Sequence, residues 1–161
     1  MRILVLSDTH VDGIDQLRPG IIGALNGVDL IVHAGDFTQK AVLDGLRVFA
    51  EVKAVAGNMD SLAVRLALPE KVVFEAAGKK VGVVHGWGGP SDIARRIRPL
   101  FGDVDVIIYG HSHQPGREVV HGALMFNPGA ARSSYGILTV DKEVKAEIDI
   151  ISEEGEQICK T

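Results

Sequence analysis

The chain lacks the sequence features of secreted and membrane proteins. Cys159 is the only cysteine among 161 residues, so no disulfide can form within the chain. No apolar run approaches the roughly 20 residues that a membrane-spanning helix needs. The first residues also lack the basic segment followed by an apolar one that marks a secretory signal. We therefore expect a cytoplasmic protein that does not associate with a membrane.

The chain has no strong excess of either charge. It carries 17 Lys and Arg against 21 Asp and Glu, a formal net charge of −4, which argues against general binding to nucleic acid or a membrane surface. The glycine fingerprints of Walker and dinucleotide sites are missing, including at Gly86–Gly89, which excludes a nucleotide-binding Rossmann protein. A small anionic substrate stays compatible, because bound metal ions can supply positive charge locally.

The overall composition is that of an ordinary globular protein. Hydrophobic residues make up 46% of the chain and charged residues 24%, which argues against extensive disorder. A chain of this length suits one core, and no repeat, low-complexity segment or linker divides it. We therefore expect one domain over residues 1–161.

Five short apolar runs each end at a residue that can bind a metal ion. The runs are rich in β-branched residues and almost wholly apolar, which is typical of strands buried on both faces. They are Ile3–Leu6, Leu30–Val32, Val52–Ala56, Val81–Val84 and Val104–Tyr109. A single Asp or His after a strand is more often a turn residue or a satisfied core group. Five in succession instead predict one site, because open α/β sheets bind ligands at the carboxyl ends of their strands.

Helix-like segments separate the early runs, and hairpin-like segments follow them. One helix is predicted from Pro19, one from Thr38 as its N-cap with Phe49 on its buried face, and one from Ser91, ending near Pro99. After residue 70, three hairpins are predicted, with turns at Ala77–Lys79, His121–Gly122 and Asp141–Glu143. This order indicates an α/β protein in which two sheets pack together with helices outside.

The donors that follow the runs stand in short motifs whose order resembles a known family. These motifs are Asp8-Thr9-His10, Gly35-Asp36, Gly57-Asn58-Met59-Asp60, His85-Gly86 and Gly110-His111-Ser112-His113. They are similar to the pattern of the calcineurin-like metallophosphoesterase superfamily, over roughly residues 1–136. The compact length and Asn127-Pro128-Gly129-Ala130 look like its small prokaryotic phosphodiesterase branch, which is similar in fold to a retromer subunit. The resemblance implies a four-layer αββα sandwich of two mixed sheets flanked by helices.

The resemblance also implies a dinuclear metal centre in which Asp36 bridges the ions. Carried over motif by motif, one ion would be held by Asp8, His10, Asp36 and His113, and the other by Asp36, Asn58, His85 and His111. Two divalent ions would outweigh the carboxylates and a bridging hydroxide by about one positive charge, which would attract an anionic phosphoester. The expected reaction is phosphodiester hydrolysis, with the bridging hydroxide attacking phosphorus in line.

Mixed imidazole and carboxylate donors favour transition metals over magnesium or calcium. We expect two divalent ions per chain, manganese first, with nickel, iron, cobalt and zinc as alternatives. No catalytic residue is assigned apart from the ligands. The rival interpretation is a scaffold module of the same fold with little activity, which the complete set of seven donors disfavours. Assembly into a homo-oligomer is left open.

Three residues are candidates for contact with a small phosphoester substrate. They are Asn58, Trp87 and Asn127. Trp87 could stack on a base or cover the pocket mouth, and a simple packing role is equally compatible. For Asn127, a rigid turn beside the metal loops is the main prediction and substrate contact the alternative.

Four further residues receive structural predictions. His33 is expected in the core or behind the ligands, and His121 on the surface. Arg95 and Arg96 are expected on an exposed helix face, with phosphate contact as the alternative.

Met59 is a departure from the family pattern. It stands where the family has a histidine that is thought to protonate the leaving group. A thioether cannot donate a proton, which leaves Asp60 or a water as the acid, or no acid at all.

Overall fold

The computed structural model describes residues 1–152 completely and residues 157–160 by their backbone. The Cys159 side chain lies outside the described side chains. Within this part of the chain, no helix is both long enough and apolar enough to span a membrane.

Two mixed sheets form the centre of the fold. The first has the order β11-β10-β9-β1-β2-β3, and its strands are β1 (Arg2–Leu6), β2 (Leu30–His33), β3 (Glu51–Ala54), β9 (Ser134–Val140), β10 (Val144–Ile151) and β11 (Gln157–Lys160). The second has the order β4-β5-β6-β8-β7, and its strands are β4 (Lys71–Ala76), β5 (Lys79–Val84), β6 (Val106–Ile108), β7 (Gly116–Val120) and β8 (Ala123–Asn127).

Four short helices flank the sheets in the described part of the chain. They are α1 (Pro19–Leu25), α2 (Lys40–Leu46), α3 (Leu62–Ala67) and α4 (Ile93–Ile97). Two turns of 3₁₀-helix, Ile14–Gln16 and Arg98–Leu100, accompany them. Because β1, β2 and β3 are mutually parallel, as are β5, β6 and β8, the loops that follow these strands gather at the carboxyl ends of each sheet.

Alternating side chains of each strand face different apolar layers. Val5 of β1 packs between the sheets with Val83 of β5, whereas its neighbour Leu4 packs against the helices with Ile21. On the far side of the second sheet, Ile107 packs against Ile97 of α4. Three apolar layers between four structural layers confirm the predicted αββα sandwich.

The predicted hairpins and the helix from Pro19 are confirmed, but two predicted helix caps are wrong. Helix α2 begins at Lys40, because Thr38 is left-handed (φ 69°) and its hydroxyl donates to the Val11 carbonyl. Helix α4 begins at Ile93, one residue after left-handed Asp92, so Ser91 does not cap it. Phe49 lies beyond the end of α2 and is exposed. Helix α3 and strand β11 were not predicted.

Candidate metal centre

The loops after β1, β2, β3, β5 and β6 carry the seven candidate ligands, and backbone strain is concentrated there. Among the described residues, nine other than glycine have a positive φ, and five of these are candidate ligands. Their φ angles are 52° at Asp8, 47° at His10, 60° at Asp36, 69° at His111 and 60° at His113. Such conformations cost about 1 kcal/mol or more each and cluster at functional sites.

The Asp8 carboxylate has one satisfied oxygen and one that lacks a hydrogen-bond donor. Oδ2 accepts hydrogen bonds from the Ser7 hydroxyl at 2.6 Å and from the His111 backbone N–H at 3.1 Å. Oδ1 is buried without a hydrogen-bond partner in the described part of the chain. The Nε2 atoms of His113, His10 and His85 lie 3.2, 3.9 and 3.9 Å from it. A bound cation would satisfy this oxygen, since a buried carboxylate oxygen without a partner is costly.

Asp36 likewise has one oxygen held by the backbone and one that faces imidazoles. Oδ1 accepts the Met59 backbone N–H at 2.8 Å. Oδ2 lies between two imidazoles, 3.3 Å from Nε2 of His85 and 3.7 Å from Nε2 of His10. Burial opposes ionisation, but the hydrogen bond and charge of His85 outweigh it, so the pKa of the Asp36 carboxyl is lowered.

Backbone carbonyls fix the orientation of two of the histidines. His85 donates from Nδ1 to the Ala34 carbonyl at 2.7 Å, and His111 donates from Nε2 to the Gly88 carbonyl at 3.0 Å. The other nitrogen of each ring faces Asn58 Oδ1, at 3.0 Å from His85 Nε2 and 3.2 Å from His111 Nδ1. Metal-binding histidines commonly have this arrangement, one nitrogen held by the protein and the other free for the ion.

The proximity of Asp36 and Asp8 also perturbs His85. Burial alone would lower its pKa, but the hydrogen bond with Asp36 and the charges of both carboxylates outweigh burial and raise it. Cationic charge at this position is therefore favoured, whether it comes from a proton or from a metal ion.

The structure brings all seven predicted ligands together. Two groups have donor atoms within 4.8 Å of one another, Asp8 with His10 and His113, and Asp8 with Asp36 and His85. Asn58 and His111 adjoin the second group through the contacts of Asn58 Oδ1. Asp8 is thus common to both groups, while Asp36 Oδ2 faces one imidazole from each. The donor set of imidazole, carboxylate and amide suits divalent transition metals.

Comparison with known proteins identifies the family. The family model described as the calcineurin-like phosphoesterase superfamily domain matches residues 1–143 of the 161. The chain belongs to the calcineurin-like phosphoesterase superfamily. This superfamily comprises metallophosphoesterase hydrolases that bind divalent metals, so the predicted family is confirmed.

Individual members of the superfamily are similar over most of the chain. A probable metallophosphoesterase of Methanocaldococcus jannaschii is 39% identical over 134 residues, which are 81% of this chain and 68% of that protein. One from Methanothermobacter thermautotrophicus is 33% identical over 170 residues, covering 100% of this chain and 97% of its own. Among solved structures, Entamoeba histolytica Vps29 complexed with zinc has a TM-score of 0.79 at 28% identity, covering 99% of this chain and 97% of its own.

His33 and His121 are placed as the sequence predicted. His33 is fully buried behind the superfamily ligands; Nδ1 accepts the Gly35 N–H at 3.1 Å and its ring stacks on Phe37 at 3.5 Å. Burial, together with the nearby His85, lowers the pKa of His33 to about 3, so its ring is neutral and supports the Asp36 loop. His121 is exposed in the turn between β7 and β8.

Asn127 supports the G-H-x-H loop of the superfamily pattern. Its buried amide nitrogen donates to the Gly110 carbonyl at 3.1 Å and to the Ser112 hydroxyl at 3.0 Å, while Oδ1 accepts the Gly129 N–H at 2.9 Å. These bonds use both amide hydrogens. Asn127 therefore positions the loop that carries His111 and His113, in line with the rigid turn expected from the sequence.

Arg96 has a role that the sequence analysis missed. Its guanidinium donates to the carbonyls of Trp87 at 2.6 Å, Gly89 at 3.3 Å and Ser91 at 3.0 Å. It therefore holds the glycine-rich loop instead of approaching a phosphate, while Arg95 is exposed on α4 as predicted. Trp87 lies 46% exposed at the tip of this loop. No sequence signal links Arg96 to Trp87, because the bonds go to backbone carbonyls.

Asp60, one of the alternatives for the leaving-group acid, holds the loop that follows Asn58. Asp60 is buried and accepts three backbone N–H bonds, from Gly57 at 2.7 Å, Thr38 at 2.8 Å and Asp36 at 3.1 Å. Both oxygens of this carboxylate hold backbone donors, so Asp60 organises the loop, and its role as the leaving-group acid stays a prediction. Met59 replaces the superfamily histidine with a side chain that is 60% exposed.

Two glycines allow the metal loops to approach one another. A Cβ atom at Gly57 would collide with the Asp36 carboxylate, and one at Gly110 would collide with the Ser7 hydroxyl. Both glycines stand beside ligands, so close approach explains why side chains are absent there.

Proposed function

We propose that this superfamily member is a dinuclear metal-dependent phosphodiesterase. The observation that carries the proposal is the buried Oδ1 of Asp8, which has no hydrogen-bond partner in the described part of the chain and lies 3.2 to 3.9 Å from three imidazole nitrogens. We assign one ion to Asp8, His10, Asp36 and His113, and the other to Asp36, Asn58, His85 and His111. Asp36 would contact both ions, since its Oδ2 faces His10 and His85.

Divalent ions held there would supply a Lewis acid for a phosphoryl oxygen and would make a hydroxide nucleophile available near neutral pH. Manganese is proposed first for this donor set, and zinc is supported as an alternative by the zinc complex of E. histolytica Vps29. The chain's own contribution is orientation: carbonyls of Ala34 and Gly88 hold two imidazoles in place, and the Met59 N–H holds Asp36.

The exposed edge of the centre is where a substrate would arrive. The side chains of His10 and His113 are 34% and 40% exposed, whereas those of Asp8 and Asp36 are buried. A phosphate approaching from this side meets imidazoles before carboxylates, which reduces electrostatic repulsion.

Diesters with good leaving groups are the substrates that the centre supports best. The superfamily histidine is replaced by Met59, and Asp60 is committed to backbone donors. A leaving group that departs without a proton therefore suits this chain, as an aryl diester does and an alkyl monoester does not.

Metal content and diester hydrolysis together test the proposal. The purified protein, reconstituted with manganese, should hold about two ions per chain and hydrolyse bis(4-nitrophenyl) phosphate. Removal of the metal with a chelator should abolish the rate, and manganese should restore it. Full activity in protein shown to be metal-free would refute the proposal.

A scaffold role is the second candidate, because the fold is similar to that of Vps29. The same experiment separates the two. If the chain is a scaffold, its metal content should be substoichiometric or its hydrolysis rate close to that of free manganese. If it is an enzyme, neither result is expected.

A further inference from the structure

A groove extends from the candidate metal centre between α3 and the loop Gly86–Gly89. It has a volume of about 920 Å³, within the range of small-molecule sites. Asn58 and His85 line the groove and also belong to the metal centre. A group attached to a phosphate at the centre can therefore extend into this groove.

Large apolar side chains form the walls of the groove. Leu62 and Leu66 of α3 are 72% and 79% exposed, and Trp87 and Leu100 opposite them are 46% and 40% exposed. Leu62 and Leu66 leave most of their surface in water, and all four line one groove. Exposed apolar side chains gathered in one groove are typical of a binding site, and their chemistry favours an apolar group.

The backbone of the loop that bears Trp87 is held in place by hydrogen bonds. Arg96 donates to the Trp87 and Gly89 carbonyls, and His111 donates to the Gly88 carbonyl. The loop is thus attached both to α4 and to a candidate metal ligand. Because the backbone of this loop is already held, the indole can stack on a flat ring without the loop having to become ordered.

The groove is also lined by the Arg65 guanidinium. Within residues 1–152 and 157–160, the Arg65 guanidinium has no hydrogen-bond or ion-pair partner. Lys71 lines the groove too, but its ammonium already donates to the Leu100 carbonyl at 3.0 Å. With Glu70 as the carboxylate in the lining, two cations face one anion. The balance favours a negatively charged group beside Arg65.

We propose that this groove binds the organic group of the phosphoester substrate and selects an aromatic group bearing a second negative charge. Trp87 and Arg65 are its specificity-determining residues. The inference rests on the proposed phosphodiesterase function, which places the phosphate at the metal centre.

Phosphonates that cannot be hydrolysed test the groove without turnover. The manganese-loaded protein is titrated with methylphosphonate, phenylphosphonate and 4-carboxyphenylphosphonate by calorimetry. Because Trp87 is the single tryptophan, its fluorescence reports occupancy of the groove. Phenylphosphonate should bind about tenfold more tightly than methylphosphonate, and the carboxylate should add about threefold. Only the two aromatic ligands should change the fluorescence.

Two variants test which residue produces each gain in affinity, and two matched variants serve as controls. Trp87→Ala should remove the gain from methyl to phenyl in calorimetry, and Arg65→Gln should remove only the gain from the carboxylate. Phe49→Ala and Arg95→Gln, which truncate exposed residues outside the groove, should leave both gains intact.

Equal affinities for the three ligands, or gains that survive both groove variants, would overturn the proposal. Selective binding without hydrolysis of any diester would support the groove and refute the phosphodiesterase. Hydrolysis of a diester without selective binding would support the phosphodiesterase and refute the groove. Sedimentation tests whether a second copy of the chain occupies the groove instead. A dimer that Leu66→Ser dissociates and that phenylphosphonate does not dissociate would assign the groove to a second copy, which also overturns the proposal.

Discussion

At the scale of single residues, each of the two carboxylates of the centre has one oxygen that holds the protein backbone or a hydroxyl and one that is placed as a candidate metal ligand. Asp8 Oδ2 and Asp36 Oδ1 accept hydrogen bonds from the protein, while Asp8 Oδ1 and Asp36 Oδ2 face imidazole nitrogens. An amide at either position can keep the structural bond and lose the negative charge. Metal binding can therefore be tested without dismantling the loop.

Asp36→Asn should weaken the binding of both metal ions, not of one alone. The variant keeps an oxygen for the Met59 N–H but loses the charge that faces His10 and His85. Elemental analysis should show metal content falling from about two ions per chain to below one, with activity abolished. His121→Ala, in an exposed turn, should change neither quantity. One ion retained at full occupancy in the Asp36→Asn variant would contradict a bridging role.

Met59→His should reduce the dependence of rate on the leaving group. General acid catalysis is typically worth ~10²–10⁴ in rate, and the native chain has a thioether at this position. Measured as kcat/KM across substituted phenyl phosphodiesters, the native rate should fall steeply as leaving-group pKa rises, and the variant's rate should fall less. Equal, shallow slopes for both proteins would reveal an acid already present in the native centre.

At the scale of elements, the loops were more predictable from the sequence than the helices. Strands β1, β2, β5 and β6 each contain an apolar run with a ligand motif close behind it, so these strands and their ligands could be located without tertiary information. Helix α3 buries only Val64 and exposes Leu62 and Leu66, so its sequence lacks a clear buried face. Thr38 was misjudged because the loop places it in a left-handed conformation, and a contact such as Arg96 to Trp87 leaves no periodic signal.

Gly57→Ala should disturb the metal loop while leaving the fold intact. The new Cβ would collide with the Asp36 carboxylate, so manganese should bind at least about tenfold more weakly in a calorimetric titration. Gly23→Ala is the matched control: Gly23 lies in α1, and apart from its chain neighbours and the backbone of its own helix nothing lies within 4 Å of the added Cβ. That control should keep its metal affinity and gain up to about 1 kcal/mol in stability. Equal metal affinity in both variants would refute close packing at Gly57.

At the scale of the whole molecule, the two sheets contribute to one centre. Asp8, His10, Asp36 and Asn58 follow strands of the first sheet, whereas His85, His111 and His113 follow strands of the second. Each proposed ion takes ligands from both sheets. The family resemblance gave this architecture, but the distances between ligands depend on how the sheets pack, which the sequence alone does not supply.

Acid should destabilise the metal-free protein partly through His33. Its pKa is about 3 in the fold, lowered chiefly by burial, against an ordinary pKa of 6.5. As pH falls from 6.5 towards 3, the unfolded chain takes up a proton that the folded chain refuses, so the free energy of unfolding falls by up to about 1.4 kcal/mol per pH unit. Urea melts between about pH 7 and pH 4 should show this loss.

His33→Asn isolates that contribution, because asparagine can still accept the Gly35 N–H. The raised pKa of His85 acts in the opposite sense: it stabilises the fold when His85 is protonated, and this stabilisation is lost as pH rises through the pKa of His85 in the fold. This effect is common to both proteins. The variant should therefore show a flatter decline on acidification. Parallel declines would mean that His33 titrates normally in the fold.

Anomalous diffraction from crystals of the manganese-loaded protein measures the central claim directly. Two manganese peaks should lie about 3.5–4 Å apart, one among Asp8, His10, Asp36 and His113 and the other among Asp36, Asn58, His85 and His111. A single peak, or peaks away from these side chains, would contradict the account.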